Sequence, residues 1–159
     1  MGISYQLSFD LVPLLIASLV SFALAGYIWR RRVVIWSLTY VLLMTAVGIW
    51  CLGYAGELAF YNAYWTYFLY IGIAFVPPLW FLFVFQYTGK DKWLDPMRIG
   101  LLFVLPTISL LLVWLNSYIP LFYTYIGPMK VGKFFIVDVH YGPMFWVHTV
   151  YSYSLLLSS

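Results

Sequence analysis

One acidic side chain lies inside a long apolar stretch, and it is the residue best suited to polar chemistry there. Glu57 is the only acidic residue within any of the chain's long apolar runs. At helical spacing, Tyr54 and Gly53 lie one turn back on the same face, and Trp50 lies two turns back. An acid, two amphipathic aromatics and a small residue on one stripe predict the wall of a ligand pocket, since charge near lipid is by default a functional-site hypothesis.

A second interpretation of Glu57 is interfacial. If its helix begins just after Arg32, Glu57 lies about 25 residues on, which is roughly 37 Å along the axis at 1.5 Å per residue. The hydrocarbon core of a bilayer is only ~30 Å thick. Glu57 would then lie at the membrane surface, where a charge costs little. Both interpretations stay open from the sequence.

The other residues that could do chemistry form no recognisable catalytic or metal-binding pattern. His140 and His148 are eight residues apart with a proline between them, a spacing that does not predict a metal site. The chain has no glycine-rich phosphate loop, no paired carboxylates, and no acid placed to orient a serine–histidine pair. No apolar run contains a lysine for a Schiff base. The single cysteine, Cys51, excludes an intrachain disulfide. We therefore predict no catalytic residue, no metal and no cofactor.

The composition places these residues in a membrane protein. The chain of 159 residues is 65% hydrophobic and 8% charged, whereas a soluble domain has about 45–50% apolar and about 25% charged residues. The net charge of +3 is small and scattered, which argues against a nucleic-acid partner. Residues 1–10 contain no Lys or Arg, so the first apolar run is predicted to stay as a helix rather than to be cleaved as a signal peptide.

Long apolar runs define an all-α bundle of membrane-spanning helices within one domain, residues 1–159. Each run is long enough to cross a bilayer or is still apolar when the sequence stops. The predicted architecture is four complete spans and part of a fifth, with a chain that is expected to be cut inside the fifth helix. The predicted helices are residues 11–29, 34–60, 64–87, 99–115 and 143–159.

The connector between the fourth and fifth runs has a different pattern. Two aromatic and β-branched stretches, Leu121–Ile126 and Phe134–Val139, flank a turn-rich segment, Gly127–Gly132. This pattern predicts a small β-hairpin at the outer membrane surface.

Three prolines interrupt the third and fourth runs. Pro77 and Pro78 lie near the middle of the third run, and Pro106 lies within the fourth. Each removes a backbone hydrogen bond and predicts a kink. The functional interpretation is a hinge, and the alternative is an ordinary packed kink.

The distribution of basic residues predicts the orientation. Six of the eight Lys and Arg residues fall in the first and third connectors, around the Arg30–Arg32 triplet and between Lys90 and Arg98, whereas only Lys130 and Lys133 fall on the other side. By the positive-inside rule, the N-terminus and the hairpin lie outside. Glu57, Trp50, Tyr54, Asn116 and His140 would then form an outer vestibule for a small ligand, although an interfacial belt of aromatics gives a similar pattern.

Several short motifs, in this order, resemble the N-terminal seven-helix sensor region of membrane histidine kinases, which also occurs ahead of diguanylate cyclase domains. The resemblance covers most of the chain from the second helix on, and it rests on order and spacing. The motifs are Trp50 with Gly53-Tyr54-Ala55-Gly56-Glu57, Tyr70-Ile71-Gly72, Pro77-Pro78, Trp80-Phe81-Leu82-Phe83, Tyr87-Thr88-Gly89, Leu105-Pro106-Thr107-Ile108 with Asn116, and Tyr141-Gly142-Pro143-Met144-Phe145-Trp146 before Tyr151-Ser152-Tyr153.

This resemblance implies an outside N-terminus, seven helices in the plasma membrane of a prokaryote, and a cytoplasmic output module. It also implies a homodimer formed through that module and a response regulator as partner. The chain departs from the pattern because it has no phosphoacceptor-histidine motif and no ATP-binding motif, and because Ile119-Pro120 stand where a histidine is often expected after Asn116.

The leading hypothesis is therefore the signal-input region of a two-component sensor histidine kinase, with the bilayer and an unknown small ligand as partners. The alternatives are the sensor region of a diguanylate cyclase, a transporter or channel fragment, a membrane-embedded enzyme, or a small stand-alone membrane protein. A transporter requires a polar path through the midplane, and the midplane residues here are nearly all apolar.

Overall fold

The computed structural model describes residues 2–31, 36–60, 63–90, 92, 94–131 and 134–159. Arg32, Lys133 and the predicted start of the second span at residue 34 lie outside the described residues. Within the described ranges, five helices are combined with one two-stranded antiparallel sheet. The elements are α1 (Gly2–Arg30), α2 (Trp36–Phe60), α3 (Ala63–Tyr87), α4 (Pro96–Trp114), β1 (Tyr123–Val131), β2 (Phe134–Tyr141) and α5 (Pro143–Ser158).

Four of the helices are long and apolar enough to cross a membrane, which confirms the predicted fold class together with the hairpin. These four segments are Leu11–Arg30, Trp36–Phe60, Tyr64–Tyr87 and Pro96–Trp114. The fifth helix, α5, has 16 residues, and α1 begins at Gly2, well before its apolar segment.

Local signals explain where α3 and α4 end and begin. After α3, Gly89 has a φ of +71°, the left-handed conformation that glycine adopts most readily at a helix C-terminus. The carboxylate of Asp95 accepts a hydrogen bond of 2.7 Å from the backbone N–H of Arg98, and Pro96 occupies the first turn. This cap starts α4 three residues before the predicted residue 99.

Consecutive helices pack side by side along the bundle, and their connectors lie at its two ends. One end, the hairpin end, holds the end of α2, the start of α3 and the β-hairpin; the other, the basic end, holds Arg30, Lys90 and Arg98. Helix α3 is central, because it packs against α2, α4 and α5.

Small residues bring α2 and α3 into close contact. A Cβ on Gly72 of α3 would overlap the backbone carbonyl of Ala46 and the Trp50 residue on α2, and a Cβ on Gly53 would lie 2.5 Å from the Cβ of Leu69. Such close approach is typical of membrane helices, whose association depends on packing rather than on the hydrophobic effect. The α2–α3 interface is therefore tightly closed along these glycines.

The interface between α1 and α2 is closed by a buried hydrogen bond. The Ser18 hydroxyl, on α1, donates to the backbone carbonyl of Gly48 at 3.0 Å. The ring of Phe22, one turn further along α1, lies directly over the same glycine. Ser18 thus has its polar group satisfied within the protein.

The β-hairpin forms as predicted, but its strands are longer than the sequence indicated. Gly127 and Pro128, which the sequence placed in the turn, belong to β1 and pair with Asp138 and Val137 of β2. Proline is tolerated there because a two-stranded sheet consists only of edge strands.

The base of the hairpin is fixed to the bundle by backbone hydrogen bonds. The N–H of Gly142 donates to the Phe122 carbonyl at 2.8 Å, and the N–H of Met144 donates to the Leu121 carbonyl at 3.2 Å. A Cβ on Gly142 would overlap the carbonyl of Leu121. Phe122 is fully buried and contacts Tyr70 of α3, with 4.8 Å between the ring centroids. The hairpin base and the start of α5 are thus one packed unit.

Candidate functional site

A half-open cavity of about 760 Å³ lies at the hairpin end, lined by α2, α3, α5 and the base of the hairpin, with Leu14 of α1. Its walls are mainly apolar, with side chains such as Leu69, Ile73, Val76 and Phe145. The lining residues of α3 run from Thr66 to Pro77, which corresponds to roughly 16 Å along the helix. Cavities of this size, with apolar walls and few polar groups, are typical of small-molecule sites.

Three of the residues predicted from the sequence to bind a ligand line this cavity together. Trp50, Tyr54 and Glu57 all contribute to its α2 wall. Glu57 is half-buried and lies near the end of α2. The structure therefore brings these three predicted residues together, while ligand binding by them stays a prediction.

The carboxyl group of Glu57 has polar neighbours from two other elements. It faces the Thr66 hydroxyl of α3, which makes no hydrogen bond of regular geometry. It also lies within electrostatic reach of the Tyr123 hydroxyl at the start of β1. Burial, and next the neighbouring Tyr141 and Glu57, raise the pKa of the Tyr123 phenol above its usual range. The phenol therefore stays protonated at neutral pH and can donate a hydrogen bond.

Four side chains place buried polar atoms without hydrogen-bond partners on the cavity. These are the hydroxyls of Thr66, Tyr70 and Ser152 and both ring nitrogens of His148. Tyr70 is 2% exposed and His148 is 4% exposed. Buried polar groups in proteins are nearly always satisfied by protein, water or ligand, so these atoms have the capacity to bond to water or to a ligand in the cavity.

These four side chains form two pairs, one on α3 and one on α5, and the two pairs meet at Tyr70 and His148. Thr66 and Tyr70 are four residues apart on α3, and His148 and Ser152 are four residues apart on α5, so each pair lies on one helix face. The ring centroids of Tyr70 and His148 are 5.6 Å apart. We call these four residues the polar seam.

Asn116 and His140, also predicted as ligand residues, do not line the cavity. The Asn116 side chain donates to the Tyr123 carbonyl at 3.0 Å and accepts from the Tyr123 N–H at 2.9 Å. His140 is exposed, with its Nε2 3.3 Å from Asp138 and its ring against Tyr125. Asn116 anchors the start of β1. Ligand binding by either residue stays a prediction.

The predicted hinge residues lie within continuous helices. Helix α3 continues through Pro77 and Pro78, and α4 continues through Pro106. All three prolines are buried, and Pro77 also lines the cavity. Their role as hinges stays a prediction.

The arrangement is suited to binding rather than to catalysis or metal coordination. Among the described residues, no three His, Cys, Asp or Glu side chains are grouped as metal ligands. The cavity instead combines one carboxyl group, several hydroxyls, one imidazole and aromatic rings. Such groups recognise a ligand by hydrogen bonds and shape.

The polar seam is the part of the site that the sequence did not reveal. The sequence pattern relates His148 only to His140, and although Tyr70 and Ser152 stand in motifs of the family resemblance, nothing in the sequence assigns a role to them or to Thr66. Their chain positions differ by up to 86 residues, so only helix packing brings them together. The available signal was the shared four-residue spacing within each pair.

The chain matches a known protein family over most of its length. The model of the family described as the N-terminal 7TM region of histidine kinase matches residues 13–159. No curated protein and no solved structure matches the chain.

Proposed function

Because the chain belongs to the family of N-terminal 7TM regions of histidine kinases, we propose that it senses a small ligand and relays that signal to a cytoplasmic output domain of a two-component kinase. The observation that carries this proposal is the family match over residues 13–159, joined to a ligand-sized cavity among the membrane-spanning helices. The bundle itself contributes the input, and phosphoryl transfer belongs to the output domain.

The cavity is positioned where a ligand can change helix packing. Its walls come from α2, α3, α5 and the hairpin base, with Leu14 of α1, so one occupant can contact several helices at once. A ligand shifts such an equilibrium only by its differential affinity for the two states. Pro77 lies on the cavity wall and removes a backbone hydrogen bond of α3. The helix can therefore change its bend at this residue.

The proposed orientation places the hairpin end outside the cell and the basic end in the cytoplasm. The charge count supports it, since six of the eight basic residues fall in the connectors at the basic end. In this arrangement the cavity opens near the outer surface of the plasma membrane of a prokaryote. The output domain, through which two copies dimerise and address a response regulator, lies on the opposite side.

Cysteine labelling tests the orientation. In a Cys51→Ser background, Tyr118→Cys reports on the hairpin end and Lys90→Cys on the basic end, and both positions are exposed. We expect a membrane-impermeant maleimide added to intact cells to label only the first variant. Labelling of Lys90→Cys alone would reverse the orientation.

Phosphorylation of the full-length gene product tests the function. Membranes containing it should incorporate phosphate from labelled ATP, and a bulky side chain that fills the cavity, Ser152→Trp, should change the rate by roughly fivefold or more, the lower bound of typical allosteric coupling. Ser154→Trp is the matched control, because Ser154 is exposed and its hydroxyl bonds to the Val150 carbonyl of its own helix.

The sensor proposal fails if no phosphate is incorporated, or if Ser152→Trp and Ser154→Trp have the same effect. Glu57→Gln provides a second, milder change of the cavity. It should alter the phosphorylation rate while the protein still inserts in the membrane.

A further inference from the structure

The cavity has a distinctive charge. Glu57 is the only Asp, Glu, Lys or Arg side chain among its described lining residues. A ligand anion would meet this carboxylate with no Lys or Arg among the described lining residues to offset it, and like charges in a partly buried site repel strongly. The site therefore discriminates against carboxylates and phosphates and favours a positively charged or neutral ligand.

The aromatic residues near Glu57 strengthen this preference. Trp50 and Tyr54 share the Glu57 face of α2 and line the same cavity. The faces of such rings attract cations, with Trp the strongest. An ammonium group at this end of the cavity would be paired with the carboxylate and would have aromatic side chains in the same wall, which offsets part of the cost of its desolvation.

The remainder of the cavity suits a ligand that has an apolar body and a second polar group in addition to its ammonium group. Leu69, Ile73 and Phe145 form apolar walls, while the polar seam offers donors and acceptors that no protein group satisfies. A neutral imidazole has one donor nitrogen and one acceptor nitrogen, and the Tyr70 and Ser152 hydroxyls can serve as either. The polar seam can therefore donate a hydrogen bond to a ligand hydroxyl or accept one from it.

We propose that this cavity binds a small amphipathic amine, with its ammonium group on Glu57 and its apolar body and hydroxyl group along the polar seam. This ligand class deepens the proposed sensor function and rests on it for its role in signalling. Binding itself depends only on the cavity. No bond is made or broken, and the amine leaves unchanged.

A series of matched probes tests the ligand class on the native protein. Tyramine carries both an amine and a hydroxyl, 2-phenylethylamine lacks the hydroxyl, and 2-phenylethanol and phenylacetate replace the amine by a neutral and an anionic group. Equilibrium dialysis measures the binding of radiolabelled tyramine to the protein in lipid nanodiscs. The other three compounds are added as competitors of tyramine. Empty nanodiscs correct for partition into lipid.

We expect tyramine to bind most tightly, 2-phenylethylamine next, 2-phenylethanol roughly tenfold more weakly than the amine, and phenylacetate least. In Glu57→Gln, the affinity for 2-phenylethylamine should fall by roughly tenfold while that for 2-phenylethanol stays the same. Asp138→Asn, which neutralises an acid outside the cavity, should leave the whole order unchanged.

The polar seam is tested by the hydroxyl of tyramine. Ser152→Ala and Tyr70→Phe should reduce the advantage of tyramine over 2-phenylethylamine, while the matched controls Ser154→Ala and Tyr87→Phe, both outside the cavity, should keep it. These comparisons use ratios of two affinities within one variant, so partial loss of folded protein does not affect them.

Three results would overturn the amine site. The first is no saturable tyramine binding above that of empty nanodiscs, in which case water alone would satisfy the buried polar groups. The second is competition by phenylacetate that equals that of 2-phenylethylamine, and the third is an unchanged preference for the amine in Glu57→Gln. None of them bears on phosphorylation of the full-length gene product. Conversely, a protein that binds tyramine as expected but incorporates no phosphate would keep the amine site and overturn the sensor function.

Discussion

A buried serine hydroxyl is hydrogen-bonded within the protein on one side of the bundle and has no protein partner on the other. Ser18, between α1 and α2, is buried and donates its hydroxyl hydrogen to the Gly48 carbonyl. Ser152, on α5, has a buried hydroxyl with no partner. On the first side the helices meet closely through Gly48, Gly53 and Gly72. On the second side α3 and α5 leave space between them.

This difference shows how a membrane bundle separates structure from binding. In a bilayer, helices associate by close packing and by hydrogen bonds that are satisfied internally. The α1–α2–α3 side meets both conditions and can hold the bundle together. The polar seam meets neither, so its groups remain available to a ligand. The close packing thus lies between α1, α2 and α3, whereas the unsatisfied hydroxyls and imidazole lie where α3 meets α5.

The largest expected effect comes from breaking the close-packed side. Gly72→Ala should lower the free energy of unfolding by about 3 kcal/mol, because the added methyl meets backbone and Trp50 atoms that cannot easily shift. Gly100→Ala is the matched control, since nothing lies within 4 Å of its Cβ position. It should stabilise α4 by about 0.5 kcal/mol. Thermal unfolding in detergent micelles measures both, and equal effects would contradict the packing contrast.

The next effect concerns the hairpin base, where Asn116 uses its polar atoms internally. Asn116→Ala removes both hydrogen bonds to Tyr123 and should lower the free energy of unfolding by about 2 kcal/mol. Asn116→Asp keeps the acceptor for the Tyr123 N–H and should lose about half as much. Hydrogen exchange at the Tyr123 amide follows the change locally. An exchange rate that is the same in all three proteins would refute the anchoring role.

The smallest effect sharpens the comparison most directly, because one substitution is made on both sides. Ser18→Ala removes a satisfied hydrogen bond and should lower the free energy of unfolding by about 0.6 kcal/mol, the mean for such bonds in membrane bundles. Ser152→Ala removes a hydroxyl without a partner, so the ligand-free protein should be no less stable. Paired thermal scans without ligand decide it. A loss in Ser152→Ala equal to that in Ser18→Ala would abolish the distinction.

Hydropathy and turn chemistry predicted the elements because both are local. Each apolar run was long enough to become a helix, and the segment around Gly127 and Pro128 separated two β-prone runs that pair. The ends of the strands were harder to predict from the sequence, because pairing with the backbone of β2 extends β1 through Gly127 and Pro128. The cap at Asp95 was likewise missed, since it lies in the most polar connector, outside the apolar run.

The candidate site was only half predictable for a similar reason. Trp50, Tyr54 and Glu57 lie on one helix, so helical periodicity alone places them together. Tyr70 and His148 belong to different helices, and no periodicity relates them. For Asn116, polarity near the membrane surface predicts a ligand contact, and the sequence did not reveal that its amide also bonds to the Tyr123 backbone.

The junction at Gly142 has a mechanical consequence. Strand β2 has eight residues and α5 has 16, which gives two arms of roughly 26 Å and 24 Å on either side of this glycine. Its backbone hydrogen bonds and the tight contact with Leu121 leave little room for the joint to flex. The hairpin and α5 are therefore joined at a point where the backbone has little freedom to bend.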